Sequence, residues 1–505
     1  MKRLWGSNGI AFGPDGRLYV AQFLAGQISA VDVATGDVEV VVPQGGPVQS
    51  PDDLAFGSDG SMYITDLVPG WVWRRSPAGE YSLVSDQVAV PNGIATVGDR
   101  LFVNEMKLDG RVLELFPDGG DPRVLADGLM MGNAMQLGPD GCLYYPHMLT
   151  GQVFRVPLDG GAPELVAENV HEPVAVRFDR GGVLMVLSRG DAGFVTRIDL
   201  AGGERTIVRS GVLGLDNAAF DNENRMFVSS FASGGIAELH PDGRTRQIVA
   251  QSRVGPYGVA VSGGRVHVAD HYTLVNGDKR EMFVFVHGVA AADGFLHTAS
   301  QYGDVRTYDL ADGSVRMRAS GLNRPVGLAV REDGVLVVAE AGAGRVVAVD
   351  GDDAVTVLAE GLACPVDVAF DGDTGYVSDE ERGAVLRLDD GSPVVEGLSA
   401  PQGLAIRDGE VLVVETGERR LLAINPPTGE TRVEADNLAV GLPPGVTRTD
   451  PALFTHGMPG VPRPFAGLAV EPDGTLHICA NAEGGVLRLS PVDGRQTSGS
   501  VVDEG

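Results

Sequence analysis

Cysteine is scarce: Cys142, Cys364 and Cys479 are the only three in 505 residues, and no two stand close in sequence. Such isolation gives neither metal-knuckle spacing nor a disulfide framework, and a reducing compartment is the simple reading. Positive charge is also short, with 39 Lys and Arg against 68 Asp and Glu, a net charge of −29. That balance disfavours nucleic acid and anionic membrane surfaces, which demand basic patches; it is compatible with solubility and with cation binding. No apolar run is long enough to span a bilayer. The start, Met1-Lys2-Arg3-Leu4-Trp5, lacks the apolar core of a signal peptide, so a cytoplasmic location is expected. Helical periodicity is missing as well. No Gly-rich loop stands between a strand and a helix to cradle a phosphate, and no serine lies in a nucleophile-elbow context.

What the chain does contain is a repeat. "SNGIAFGPDGRLYVA" from Ser7 returns as "SPDDLAFGSDGSMYIT" from Ser50, "VPNGIATVGDRLFVN" from Val90 and "MGNAMQLGPDGCLYY" from Met131. Further copies begin at His171, Leu215, Gly255, Arg324, Cys364, Pro401 and Phe465. The period of roughly 40 to 44 residues is that of propeller blades. Each copy reads as an apolar strand, a Gly-containing turn, a second strand ending in small residues, and then two further short strands. The expected fold is therefore all-β, with two tandem β-propellers of about six four-stranded blades each, since propellers close with four to eight blades. The domains are expected at 1–253 and 254–505. A degenerate copy is placed over Met282–Leu310, and the Gly- and Pro-rich stretch Leu438–Pro464 reads as a long loop before the final blade.

In a propeller the innermost strands line a central channel, and their first residues converge at one rim. Registered on the turn glycine, that position holds Asn8, Asp52, Asn92, Asn133 and Asp216 in the first half; in the fifth copy it falls on Pro173 or Val174, with Glu172 just before. The second half offers Tyr257, Val326, Val366, Gln402 and Ala466. Crowded carboxylates raise one another's pKa. A hard cation relieves this, because Ca²⁺ accepts six to eight oxygen ligands from Asp, Glu and Asn. The competing explanation for each position alone is a turn residue capping the preceding loop. On this column the second half is expected to be an accessory ring.

"SNGIAF" at Ser7 and "PNGIAT" at Pro91 resemble the strand starts of the gluconolactonase / senescence-marker-protein family. "HEPVAV" at His171 is similar to the Glu-x-Pro-Val start that carries that family's acidic ligand, with Pro directly after Glu. The resemblance implies a six-bladed propeller with a divalent cation, Ca²⁺ or else Mg²⁺, held by Glu172, Asn8, Asn92 and Asp216, with Asn133 and Asp52 as further ligands. The activity it implies is metal-dependent hydrolysis of a lactone or related ester. A lyase resembling virginiamycin B lyase, a cyclase or isomerase, and a non-catalytic binding propeller remain as alternatives, because fold does not choose function.

Loops between second and third strands reach the same rim. They supply Phe23, Asp66, Met106, Tyr145, Arg189 and Phe231 as candidate contacts for a small-molecule substrate. His147, His171 and Glu105 are the candidate acid-base groups.

Overall fold

The turn triplets act as their chemistry dictates. In the computed structural model, which describes residues 3–442, 446 and 460–491, Pro14-Asp15-Gly16 reverses the chain between two strands. Gly16 takes φ +79°, a conformation that costs little only for glycine, and its N–H closes on the Gly13 carbonyl at 3.0 Å. The Arg17 N–H donates to Asp15 Oδ1 at 3.1 Å. Ile10–Phe12 thereby pairs antiparallel with Leu18–Gln22, Phe12 opposite Leu18.

This hairpin, extended outward by further strands, recurs along the chain. The described residues form twelve antiparallel sheets, ten of four strands and two of three, and the strands of every sheet follow chain order. Strand accounts for 54% of the described residues and helix for 1%. The fold is all-β.

The described residues divide into two compact units, one of residues 3–254 with 460–461 and the other of 255–442, 446 and 462–491. In the first, the innermost strands Ile10–Phe12, Pro51–Phe56, Pro91–Val97, Gln136–Leu137, Pro173–Phe178 and Leu215–Phe220 touch in succession, and the last returns to the first. In the second, the same closed cycle runs through Pro256–Ser262, Gly288–Ala292, Pro325–Val330, Pro365–Asp371, Pro401–Arg407 and Leu468–Val470. These cycles of sheets are β-propellers, and among the described residues no sheet borrows a strand from elsewhere in the sequence. The first ring is instead joined by packing and hydrogen bonds. Leu4 is buried against Phe227, Ile236 and Val249 of the sixth sheet, and Ser229 Oγ donates to the Asn8 carbonyl at 2.6 Å.

Burial falls from the axis outward. Second strands such as Leu184–Ser188 and Leu336–Glu340 are buried at every residue, whereas the outermost Val355–Glu360 is almost wholly exposed. Neighbouring inner strands lie too close for side chains at some points. A Cβ on Gly93 would collide with the Asn133 carbonyl, and one on Gly288 with the Val326 carbonyl. The glycine of the Asn-Gly starts is thus required by the strand next door.

The residues around His271 form a hairpin, Arg265–Asn276 with Lys279–Val286, in a three-stranded sheet. One expectation is corrected. Met282–Leu310 is not one copy: it holds most of that hairpin's returning strand and three strands of the next sheet. Most of the loop expected at Leu438–Pro464 lies outside the described residues.

Candidate functional site

Each inner strand of the first unit enters the ring through a residue whose partner on the second strand is fixed. The Asn8 N–H bonds the Ala21 carbonyl at 2.9 Å, and the equivalent pairings place Asp52, Asn92, Asn133, Val174 and Asp216 in the same layer. Asn92 Nδ2 donates to Asp52 Oδ2 at 3.2 Å and also points at the Met106 sulfur, 3.2 Å away. Asn133 Nδ2 approaches the same sulfur at 3.5 Å, while its Oδ1 accepts the Ala134 N–H at 2.7 Å. Met106 therefore sits over this layer together with two of the amides.

A second polar layer lies beneath. Asp53 Oδ1 accepts from the Leu54 N–H at 2.9 Å and from Asn217 Nδ2 at 3.2 Å. Its Oδ2 has no hydrogen-bond partner and stands 3.7 Å from Arg177 Nη2. The buried Arg177 spends its other donors on the Ala218, Met135 and Val176 carbonyls. One guanidinium thus serves a group of carboxylates. Burial, with the Asp53 charge added, pushes the Asp52 carboxyl up to about 8. Asp216 is pushed well above the carboxylate range by burial and by the charges of Asp52 and Asp53, against the pull of Arg177. Burial also raises Asp53, although Arg177 and its hydrogen bonds oppose the shift. Without a cation, protonation is the cheaper way to hold these groups near one another.

Other expected site residues lie elsewhere. The Glu172 side chain is 45% exposed and pairs with Arg189 Nε at 3.2 Å. Because Ala175 pairs opposite Leu187, the column position belongs to Val174, two residues on. The neighbouring His171 is exposed and meets the Phe194 ring edge-on at 6.3 Å. His147 is buried against Phe154 and Tyr145, with ring centroids 4.5 and 5.7 Å away. Burial lowers its pKa to about 4, and its Nε2 has no partner. Phe23 and Tyr145 are buried, and Phe231 is half-buried.

Asp66 and Glu105 belong to a structural motif. Asp66 accepts the Gln49 and Ser50 N–H groups; Glu105 accepts the Ala89 N–H at 3.0 Å and a bidentate Arg111. Glu340, Asp379 and Glu415 do the same for Asn323, Cys364 and Ser399. The acid closing the second strand latches the loop that enters its own sheet. Glu105 is therefore saturated and buried, which corrects its assignment as a free base.

Among the described residues, no group of three or more His, Cys, Asp or Glu side chains is arranged to hold a metal ion. A cation at the first mouth would have to draw on the Asn8, Asn92 and Asn133 amide oxygens beside Asp52 and Asp216.

The second ring shows what sequence reasoning missed. Its sixth column residue is His287, fixed by Gly288 pairing opposite Ala299. The signal was available in "HGVAAA", whose glycine aligns with that of "YGVAVS". Tyr257, Val326, Ala341, Cys364, Val366 and Phe465 pack together at this mouth. Beside them Glu380 pairs with Arg463 at 3.2 Å and accepts Gln402 Nε2 at 2.9 Å. A cavity of about 560 Å³ runs along the inner strands, with Asp367 in its wall. The column itself holds no carboxylate, but Glu380 and Asp367 place acids at this end of the second ring.

No protein-family model and no curated protein matches the chain. Solved structures do resemble it. Virginiamycin B lyase from Staphylococcus aureus is 18% identical over 53% of this chain and 94% of its own, with a TM-score of 0.40. The calcium-binding protein regucalcin from Agrobacterium tumefaciens is 18% identical over 46% of this chain and 83% of its own, TM-score 0.39. A gluconolactonase from Xanthomonas campestris is 17% identical over 45% and 84%, TM-score 0.40.

Proposed function

We propose that the first unit binds a divalent cation, Ca²⁺ in preference to Mg²⁺, at its channel mouth and hydrolyses a lactone or related ester of a small molecule there. The observation that carries this reading is the pair Asp52, buried, and Asp216, half-buried, both raised well above the carboxylate range in a layer of carboxamides. Such an all-oxygen set suits a hard cation. The unpartnered Asp53 Oδ2 directly below adds negative potential that one arginine leaves incompletely balanced.

Asp52 and Asp216 would hold the cation with the Asn8 and Asn92 oxygens. When bound, a cation of this kind supplies charge compensation for the carboxylates and polarises a carbonyl oxygen. The chain's own groups do the rest. The Asn92 amide N–H fixes the orientation of Asp52. Because the Asp52 carboxyl stands at about 8 without a cation, binding the ion would release its proton near neutrality. Met106 keeps one wall of the layer apolar. A net charge of −29 gives nucleic acid no purchase, and no helix among the described residues is long and apolar enough to cross a membrane.

The test begins with protein stripped by chelator and titrated calorimetrically with Ca²⁺ and Mg²⁺. At a hundredfold excess over Kd, binding should stabilise the fold by about 2.7 kcal/mol, an effect absent from Asp52→Asn and Asp216→Asn. Turnover of a lactone and ester panel in ¹⁸O-water then identifies the reaction. Label in the product acid means hydrolysis, unlabelled product means elimination, and cation binding without turnover means a binding role.

A further inference from the structure

The two rings fill the space around their axes differently. In the fifth sheet of the first ring, three residues beyond the column, stands Arg177. Its guanidinium comes within 3.7 Å of the buried Asp53, three sheets away, and donates to the Met135, Val176 and Ala218 carbonyls of three consecutive sheets. In the second ring the same offset holds Ala260, Ala290, Ala329, Ala369, Ala405 and Ala469, one in each sheet. All six line the cavity of about 560 Å³. That volume falls in the range of small-molecule sites.

The acid is nonetheless present in both rings. Asp367 directly follows its column residue Val366, as Asp53 follows Asp52. It is 6% exposed, lines the cavity, and accepts the Val368 and Leu404 N–H groups at 2.9 and 2.8 Å. Among the described residues no cationic side chain offsets its charge, and burial pushes the carboxyl up to about 7. A buried carboxylate without a counter-charge is costly. The first ring supplies a counter-charge from its own chain, and the second does not.

The cavity also offers acceptors. Each innermost strand is paired on one side only, so its other edge carries unpaired backbone groups. The carbonyls that Arg177 uses stand two residues past the column, and Val259, Val289 and Leu468, at that offset, line the second cavity. Where the inner strands end, the cavity reaches the exposed acids Asp293 and Glu332, beside an Arg331 already paired with Asp333.

We infer that the second channel binds a guanidinium group carried on an aliphatic chain, its head meeting Asp367 and inner carbonyls as Arg177 meets Asp53, and its chain lying along the alanines. A guanidinium presents five donors in a planar fork, which suits one carboxylate plus several carbonyls. An ammonium presents three and is more strongly hydrated. Entry is from the end bearing Asp293 and Glu332, because Tyr257, Val326, Val366 and Phe465 pack together at the column end. The site is separate from the oxygen layer of the first unit.

The experiment titrates the full chain calorimetrically with n-butylguanidinium, and in parallel with n-pentylamine and n-pentanol. The expected result is one guanidinium per chain with a Kd below about 1 mM, weaker binding of the amine, none of the alcohol, and no change under saturating Ca²⁺. Asp367→Asn should weaken binding at least about tenfold, its cooperative unfolding showing that the ring is intact. Ala260→Arg places a guanidinium three sheets from Asp367, the relation of Arg177 to Asp53, and should abolish binding by filling the site. Absence of saturable guanidinium binding, tighter binding of the amine or alcohol, or binding unchanged in folded Asp367→Asn or Ala260→Arg overturns the inference.

Discussion

Asp367 provides the sharpest test of how the second ring is built. Its side chain fills the notch left by Gly327, where a Cβ would run into Oδ1, and it accepts the Val368 N–H at 2.9 Å and the Leu404 N–H at 2.8 Å. Burial dominates over those two hydrogen bonds and pushes the carboxyl from 3.8 up to about 7. A raised acid makes the folded state bind more protons than the unfolded chain between these values, so stability falls as pH rises across that window and levels off above it. A shift of about 3 units corresponds to about 4 kcal/mol. Asp367→Asn cannot ionise. It retains one acceptor but turns an amide N–H toward the other backbone donor, a fault costing about 1–3 kcal/mol at any pH. The variant should therefore gain on the parent steadily as pH rises from 5 and be more stable by about 1–3 kcal/mol at pH 8.5. Subtracting the two pH profiles cancels every other titrating group. Urea denaturation read by hydrogen exchange in peptides covering 365–379 and 401–407 follows the second unit specifically. Profiles that run parallel from pH 5 to 8.5 would refute the reasoning, since Asp367 would then titrate alike in both states.

Other outcomes follow from single contacts. Gly288→Ala drives a Cβ into the Val326 carbonyl and should cost about 3 kcal/mol or more, whereas Gly294→Ala, with open space around it, should cost only the strain of φ +84°; calorimetric Tm values compare the two. Glu105→Ala strands the Ala89 N–H and Arg111 and should cost about 2–4 kcal/mol while leaving calcium affinity unchanged, because Glu105 is a latch. His147→Phe should be no less stable than the parent at neutral pH and should preserve turnover. Because burial lowers the His147 pKa to about 4, the unfolded chain binds the extra proton as pH falls below 6.5. The parent then loses stability that the variant keeps, a difference approaching about 3 kcal/mol near pH 4.

The repeat, the turn triplets and the all-β character were legible in the amino-acid sequence because they are local. Gly16 must adopt positive φ wherever Pro-Asp-Gly sits between apolar strands, and a spacing near 42 residues counts strands without reference to any neighbour. The Asn8, Asp52, Asn92, Asn133 and Asp216 column was legible for the same reason, since each member stands at a fixed offset from its turn. Tertiary structure alone decided which polar residues meet. Glu172 and Val174 are two positions apart, yet strand register turns one to solvent and the other to the column. Asp66 and Glu105 resembled site residues because nothing in a linear sequence shows that a loop entering the same sheet brings backbone N–H groups onto them. Arg177 comes to face Asp53 across more than a hundred intervening residues. His271 and His287 approach through a register slip with positive φ at two bulky residues, a conformation that local propensity disfavours and that only the packing around it can hold.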